Sequence, residues 1–125
     1  MAKIAIIEDD TRLAEIYQKM LGLEGYEVFI VSNINAVETL RKNKPDLLLL
    51  DIFMPKVNGL IILEEIRRDN FFDLMPILML TNDERAEDME KAVTLGIHGY
   101  VLKAETSMEA LIARIKSILA EKEEL

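Results

Sequence analysis

The chain has 125 residues, half of them hydrophobic, with 15 Lys and Arg against 23 Asp and Glu for a formal charge of −8. That length suits one domain burying about two-thirds of the surface its unfolded chain exposes, and the acidic balance speaks against direct binding of DNA or RNA, whose phosphates require a positive surface. With no cysteine, disulfides and thiolate metal sites are excluded; no signal-peptide pattern or membrane-length apolar stretch is present, so a cytoplasmic protein with no membrane contact is expected.

Short apolar runs alternate with segments of helical period, the pattern of repeated βα units around a parallel sheet. Lys3-Ile4-Ala5-Ile6-Ile7 reads as a first strand that runs into Glu8-Asp9-Asp10. A first helix follows with Asp9 or Asp10 as cap, apolar at Leu13, Ile16, Tyr17, Met20 and Leu21, and stops near Gly22 and Gly25. Glu27 to Val31 is the second strand. Asn35 and Glu38 have capping-box spacing and open a second helix, with Val37 and Leu40 inward, that breaks at Lys44-Pro45. Asp46 to Leu50 is the third strand, and its unbroken apolar stretch predicts burial on both faces. Asp51 follows at its carboxyl end.

Asn58-Gly59 starts the third helix, whose Leu60, Leu63 and Ile66 form a core stripe. Pro76 heads a fourth strand, Ile77 to Leu80, that delivers Thr81, since the missing N–H of proline is tolerated at a strand start. Asn82, Asp83 and Glu84 offer caps for a more polar helix from Ala86 to Leu95, closed by Gly96, with a thin apolar face of Ala86, Met89, Ala92 and Val93. His98 to Leu102 is the fifth strand and delivers Lys103. Thr106 and Glu109 again have capping-box spacing; Leu111, Ile112, Ile115, Ile118 and Leu119 line the last helix, and the charged run Glu121 to Glu124 is expected to fray. No repeat or linker interrupts this order.

Ligands of an open parallel sheet bind outside the carboxyl ends of its strands, so the acids Glu8, Asp9 and Asp51, the Thr81 hydroxyl and the Lys103 ammonium should meet on one edge. Together with Tyr100 in the fifth strand, and with Met54-Pro55 and Asn58-Gly59 downstream of Asp51, these residues resemble the CheY-like receiver domains of two-component response regulators over essentially the whole chain. The resemblance implies an α/β, flavodoxin-like (βα)5 doubly wound fold, its five parallel strands in the order 2-1-3-4-5 with helices on both faces. It implies a receiver domain over residues 1–121, a short charged tail over 122–125 and no output domain in this chain, which would act alone or as part of a larger regulator. The implied activity is that of a phosphorylation-dependent switch, catalysing only its own phosphorylation and dephosphorylation.

By the same resemblance Asp51 is the phosphoacceptor, supplied by a sensor histidine kinase or a histidine phosphotransfer protein. Clustered carboxylates repel one another unless a cation intervenes, and a set of hard oxygens with few protein ligands selects Mg²⁺ over Ca²⁺. Asp9 and Asp51 would touch the metal, the Phe53 backbone carbonyl would add a third oxygen, and Glu8 would act mostly through water. A carboxylate can attack phosphorus as a covalent nucleophile, given in-line positioning and neutralised oxygen charge. Lys103 supplies one positive group. Thr81 donates a hydroxyl to the phosphoryl group and draws its loop inward; Tyr100 then rotates from exposed to buried, altering the face made by helix four, strand five and helix five. The signal passes by protein contacts to a further target, with the receiver as a monomer or a phosphorylation-linked homodimer.

Some positions depart from the family pattern or match nothing in it. Ala104 follows Lys103 where the family usually has proline with a cis peptide. Asn82 stands beside Thr81 where a small residue is usual, and Phe53 is bulky enough to screen an acyl phosphate, so both are expected to slow phosphate loss. Asp10 matches no ligand and reads as a cap; His98, the single histidine, reads as a surface residue. A hydrolase of the haloacid dehalogenase type would need an acid at Phe53, and a flavin carrier would need a phosphate-binding loop where Glu8-Asp9-Asp10 would repel phosphate. A receiver-like module that never takes phosphate would have no need of the full residue set.

Overall fold

The computed structural model describes residues 2–54, 57–82 and 86–123. Strands β1 (Lys3–Ile7), β2 (Glu27–Ile30), β3 (Leu47–Asp51), β4 (Ile77–Thr81) and β5 (Gly99–Leu102) alternate with helices α1 (Thr11–Leu23), α2 (Ala36–Asn43), α3 (Gly59–Arg67), α4 (Ala86–Leu95) and α5 (Met108–Glu123), and a short 3₁₀ turn spans Asn70–Phe72. All pairings are parallel and the order is β2-β1-β3-β4-β5, the expected flavodoxin-like arrangement.

Successive side chains of a strand point to opposite faces, and the three inner strands are apolar on both. Ala5, Ile7, Leu48, Leu50, Ile77 and Met79 pack under α2, α3 and α4. Ile4, Ile6, Leu47, Leu49, Leu78 and Leu80 pack under α1 and α5. Leu47 to Leu50 are all fully buried, as the apolar run predicted. Burying one such side chain stabilises by about 1.5–3 kcal/mol, so the sheet is the rigid frame from which the loops project.

Helix ends follow local chemistry in some places and not in others. Asp10 caps α1, its carboxylate accepting from the Leu13 amide at 3.2 Å, and Asn58 caps α3 by accepting from Leu60 at 2.8 Å. The expected box at Asn35 and Glu38 does not form: Asn35 is left-handed, with φ 57°, and makes no side-chain cap, while its carbonyl receives the Thr39 amide and hydroxyl. At α5 the cap is Ser107 and not Thr106, its hydroxyl accepting from Ala110 at 3.1 Å. In α4, Val93 does not face inward as expected but points outward at 59% exposure, and Leu95 packs against the core instead. Instead of fraying from Glu121, α5 stays helical to Glu123, because Lys122 donates to the Asp46 carbonyl at 3.1 Å. Pro55, Asp83, Glu84 and Glu124 lie outside the described residues, as does the side chain of Ala86.

Candidate functional site

Four strand ends build the carboxyl edge. Ile7 and Leu50 are register partners, as are Asp51 and Leu80, so Glu8 and Asp51 emerge side by side just past the sheet. Beyond β4, Thr81 pairs in register with Leu102, and its carbonyl accepts the Lys103 amide at 2.8 Å. Sheet pairing alone thus brings an acid from β1, an acid from β3 and a lysine from β5 to one place.

There they touch. The Lys103 ammonium contacts Glu8 Oε1 and lies 3.3 Å from Asp51 Oδ2. All three are sheltered, with side chains 1%, 5% and 12% exposed for Glu8, Asp51 and Lys103. Two buried carboxylates therefore share one cation, leaving an excess negative charge where charge is poorly solvated. Burial, and next the hydrogen bond with Glu8, push the Asp51 carboxyl up to about 7, against the opposing pull of Lys103. Near neutrality Asp51 keeps much of a proton that an ordinary carboxylate would have lost. Glu8 Oε1 makes no hydrogen bond in spite of its contact with lysine.

The remaining expected residues surround this trio. Thr81 is fully buried at the end of β4, Tyr100 is half-buried against the core under α3 and α4, and Asn82 is exposed. Phe53, 37% exposed, forms a rim: its amide donates to Asp51 Oδ1 at 3.3 Å and its backbone bridges to Asn58. Asp9 is exposed and lies with Glu8 along a cleft of about 360 Å³ walled by Ile30 at the end of β2 and by Ser32 and Asn33 from the loop that follows. The Lys103–Ala104 peptide is trans. His98 is exposed, as expected of a surface residue.

Two further residues shape the site in ways the sequence reading did not assign to them. Tyr17 is 6% exposed in the core under α1, and burial, then the charges of Glu8 and Asp51, push its phenol up to about 12. In sequence it is indistinguishable from its apolar neighbours on α1; nothing signals that the stripe passes beneath the acids. Gly59 begins α3 with its amide 2.6 Å from the Ile52 carbonyl, and a Cβ at that position would collide with the Asp51 carbonyl oxygen. Its signal was present, since a glycine directly after a cap marks a close backbone approach.

The donors suit a small hard dication. They are oxygens, and two buried carboxylates face a single ammonium, which leaves a deficit of positive charge. Among the described residues no group of three or more His, Cys, Asp or Glu is drawn together closely enough to hold a metal, so Glu8, Asp9 and Asp51 do not form a ready three-acid site by themselves.

Acid, lysine and hydroxyl at the carboxyl edge of a (βα)5 sheet define a class of phosphoacceptor-like switch proteins. The chain matches the model of the response regulator receiver domain over residues 4–116 and belongs to that family. It is 34% identical over 119 residues to the transcriptional regulatory protein CpxR of Klebsiella pneumoniae subsp. pneumoniae (strain HS11286), covering 95% of this chain and 50% of that protein. A CpxR homolog of Haemophilus influenzae is 38% identical over 122 residues, 95% of this chain and 51% of its own length. The chain thus spans about half the length of these curated relatives. Among solved structures, the BeF3-activated N-terminal receiver domain of Klebsiella pneumoniae RstA superposes with a TM-score of 0.83 at 29% identity, covering 94% of this chain and 97% of that one. A CheY-like receiver from Methanospirillum hungatei JF-1 gives 0.85 at 27% identity, covering 99% and 98%. No helix among the described residues is long and apolar enough to cross a membrane.

Proposed function

We propose that Asp51 takes a phosphoryl group from a phosphohistidine, on a sensor histidine kinase or a histidine phosphotransfer protein, and that the domain signals by the resulting change at its surface. The observation that carries this reading is the buried Glu8, Asp51 and Lys103 trio, in which the central carboxylate is held at the brink of ionisation. In the reaction an Asp51 oxygen bonds to phosphorus as the P–N bond breaks, and the freed imidazole is protonated from solvent. The Phe53 amide orients Asp51 by holding Oδ1. Lys103, already between Glu8 and Asp51, neutralises the added oxygen charge. Glu8, Asp9, Asp51 and the Phe53 carbonyl would hold Mg²⁺, which when bound supplies positive charge to the carboxylates and to the phosphoryl oxygens.

Downstream, the Thr81 hydroxyl serves as the phosphoryl sensor and Tyr100 as the element that changes burial, since β4, which carries Thr81, pairs with β3 on the Asp51 side and with β5, which carries Tyr100, on the other. Phe53 and Asn82 flank the mouth and lengthen phosphate lifetime by excluding water. The output goes to a protein partner. The names of the CpxR relatives raise a transcriptional role for a longer regulator, yet an acidic domain of this kind would itself leave DNA contact to other segments.

The test is acetyl phosphate with Mg²⁺, followed by intact mass and peptide mapping after borohydride trapping. The expected result is one phosphate on Asp51, absent in Asp51→Asn. Labelling of another side chain in the wild type overturns the reading.

A further inference from the structure

Asn58 is the one asparagine of the chain that a glycine follows. A glycine has no side chain to hinder its own nitrogen, so this dipeptide is open to attack of that nitrogen on the asparagine side-chain carbon. A bond forms between the Gly59 nitrogen and Asn58 Cγ, ammonia leaves with the proton of the Gly59 amide, and water opens the resulting succinimide to aspartate or isoaspartate. No reagent but water is required. The fold holds both reacting groups elsewhere. The Gly59 amide donates to the Ile52 carbonyl at 2.6 Å, and the Asn58 side-chain oxygen accepts the Leu60 amide at 2.8 Å. The Asn58 backbone bridges to Phe53, and its carbonyl accepts the Ile61 amide at 3.0 Å. Behind this turn α3 buries Leu60, Ile62, Leu63 and Ile66, so the turn opens only when the start of the helix loosens.

We propose that Asn58 is a latent modification site, kept from deamidation by the first turn of α3, and that its isoaspartate product disables the neighbouring Asp51. Ring closure requires the Gly59 nitrogen to leave Ile52 and the Asn58 amide to leave Leu60, so its rate follows the open fraction of this turn. The two products then differ. Aspartate caps a helix as well as asparagine does, and its charge is favoured at a helix N-terminus. Isoaspartate instead routes the main chain through the former side chain and lengthens it by a methylene. That methylene enters beside Gly59, where even a Cβ would collide with the Asp51 carbonyl oxygen. Either α3 or the end of β3 must then give way. Loss of phosphate acceptance rests on the proposed function; the deamidation and its suppression by the fold do not.

The test is incubation of the full chain at mildly alkaline pH, folded and in guanidinium chloride, with peptide mapping and isoaspartate methyltransferase labelling at intervals. In denaturant Asn58 should convert ahead of every other asparagine, and in the folded chain at least about tenfold more slowly than in denaturant. Leu63→Ala, which removes a fully buried contact of α3, should raise the folded rate; guanidinium below the unfolding midpoint should do the same for the wild type and replaces the variant if it does not fold. Separated by ion exchange, the isoaspartate form should lose most of its labelling by acetyl phosphate with Mg²⁺ and unfold at lower denaturant than the wild type, while Asn58→Asp keeps both properties. Equal rates in the folded and unfolded chain, or an isoaspartate form as stable as Asn58→Asp, overturns the proposal. Failure of the unmodified wild type to take label would count against the phosphoacceptor reading alone, since the rates and the unfolding comparison still decide the modification.

Discussion

At the amino edge of the sheet, Asp46 begins the approach to β3 and satisfies everything near it: its carboxylate accepts the Lys3 amide at 2.8 Å, its own amide donates to the Lys3 carbonyl at 2.7 Å, and Lys122 reaches its carbonyl. At the carboxyl edge the same strand ends in Asp51, where two carboxylates compete for one ammonium and Glu8 Oε1 makes no hydrogen bond. One strand thus ends in two acids of similar chemistry and opposite circumstance. Stability is concentrated where polar groups are matched, and reactivity where they are not.

The sharpest way to break this contrast is Gly59→Ala. A methyl at that position would collide with the Asp51 carbonyl, so α3 must shift; a loss of about 3 kcal/mol or more in urea unfolding is expected, together with loss of phosphoacceptor activity. Asp51→Asn should abolish phosphorylation and yet stabilise the fold. Because the Asp51 carboxyl is raised from 3.8 to about 7 in the folded state, the native protein holds a proton that the unfolded chain releases, and the stability it confers is complete below about pH 4 and lost as pH rises through 7. The gain from asparagine should therefore be small at pH 4.5 and reach about 2 kcal/mol at pH 8, less than the full shift implies because asparagine also gives up the ion pair with Lys103. A gain that shrinks with rising pH would contradict the charge imbalance.

At the matched edge, Asp46→Ala should cost about 1–2 kcal/mol by leaving the Lys3 amide without its acceptor, with little effect on the rate of labelling by acetyl phosphate. If Asp51 holds Mg²⁺ as proposed, affinity by titration calorimetry should rise about tenfold between pH 6 and pH 8 with proton release, since the metal would displace the Asp51 proton. The smallest effect belongs to the surface: Arg41→Ala removes a half-exposed pair with Asp69 and a contact over the Phe71 ring, and should change stability by about 0.5 kcal/mol.

Strands and their ends were legible in the sequence because long-range burial writes itself into contiguous apolar runs. Four such runs end in Glu8, Asp51, Thr81 and Lys103, and the sheet brings those ends to one edge. Helix caps were less legible, because a cap depends on backbone geometry that neighbouring packing decides: Asn35 enters the left-handed region, and Ser107 stands one residue nearer the helix than Thr106. The end of α5 was misread for a tertiary reason, since Lys122 finds Asp46 across 76 residues of chain. Tyr17 was hidden likewise, by a neighbour on another element.

The four leucines of β3 are interchangeable, and slipping them by one place would still set leucine against both apolar faces. Hydrophobicity therefore cannot align this strand, although it usually does so in half-buried sheets. Alignment falls to the two aspartates that bracket the run, one anchored to Lys3 and the other met by Lys103. They act as bookends, and the position of Asp51 is thus set from the far side of the molecule.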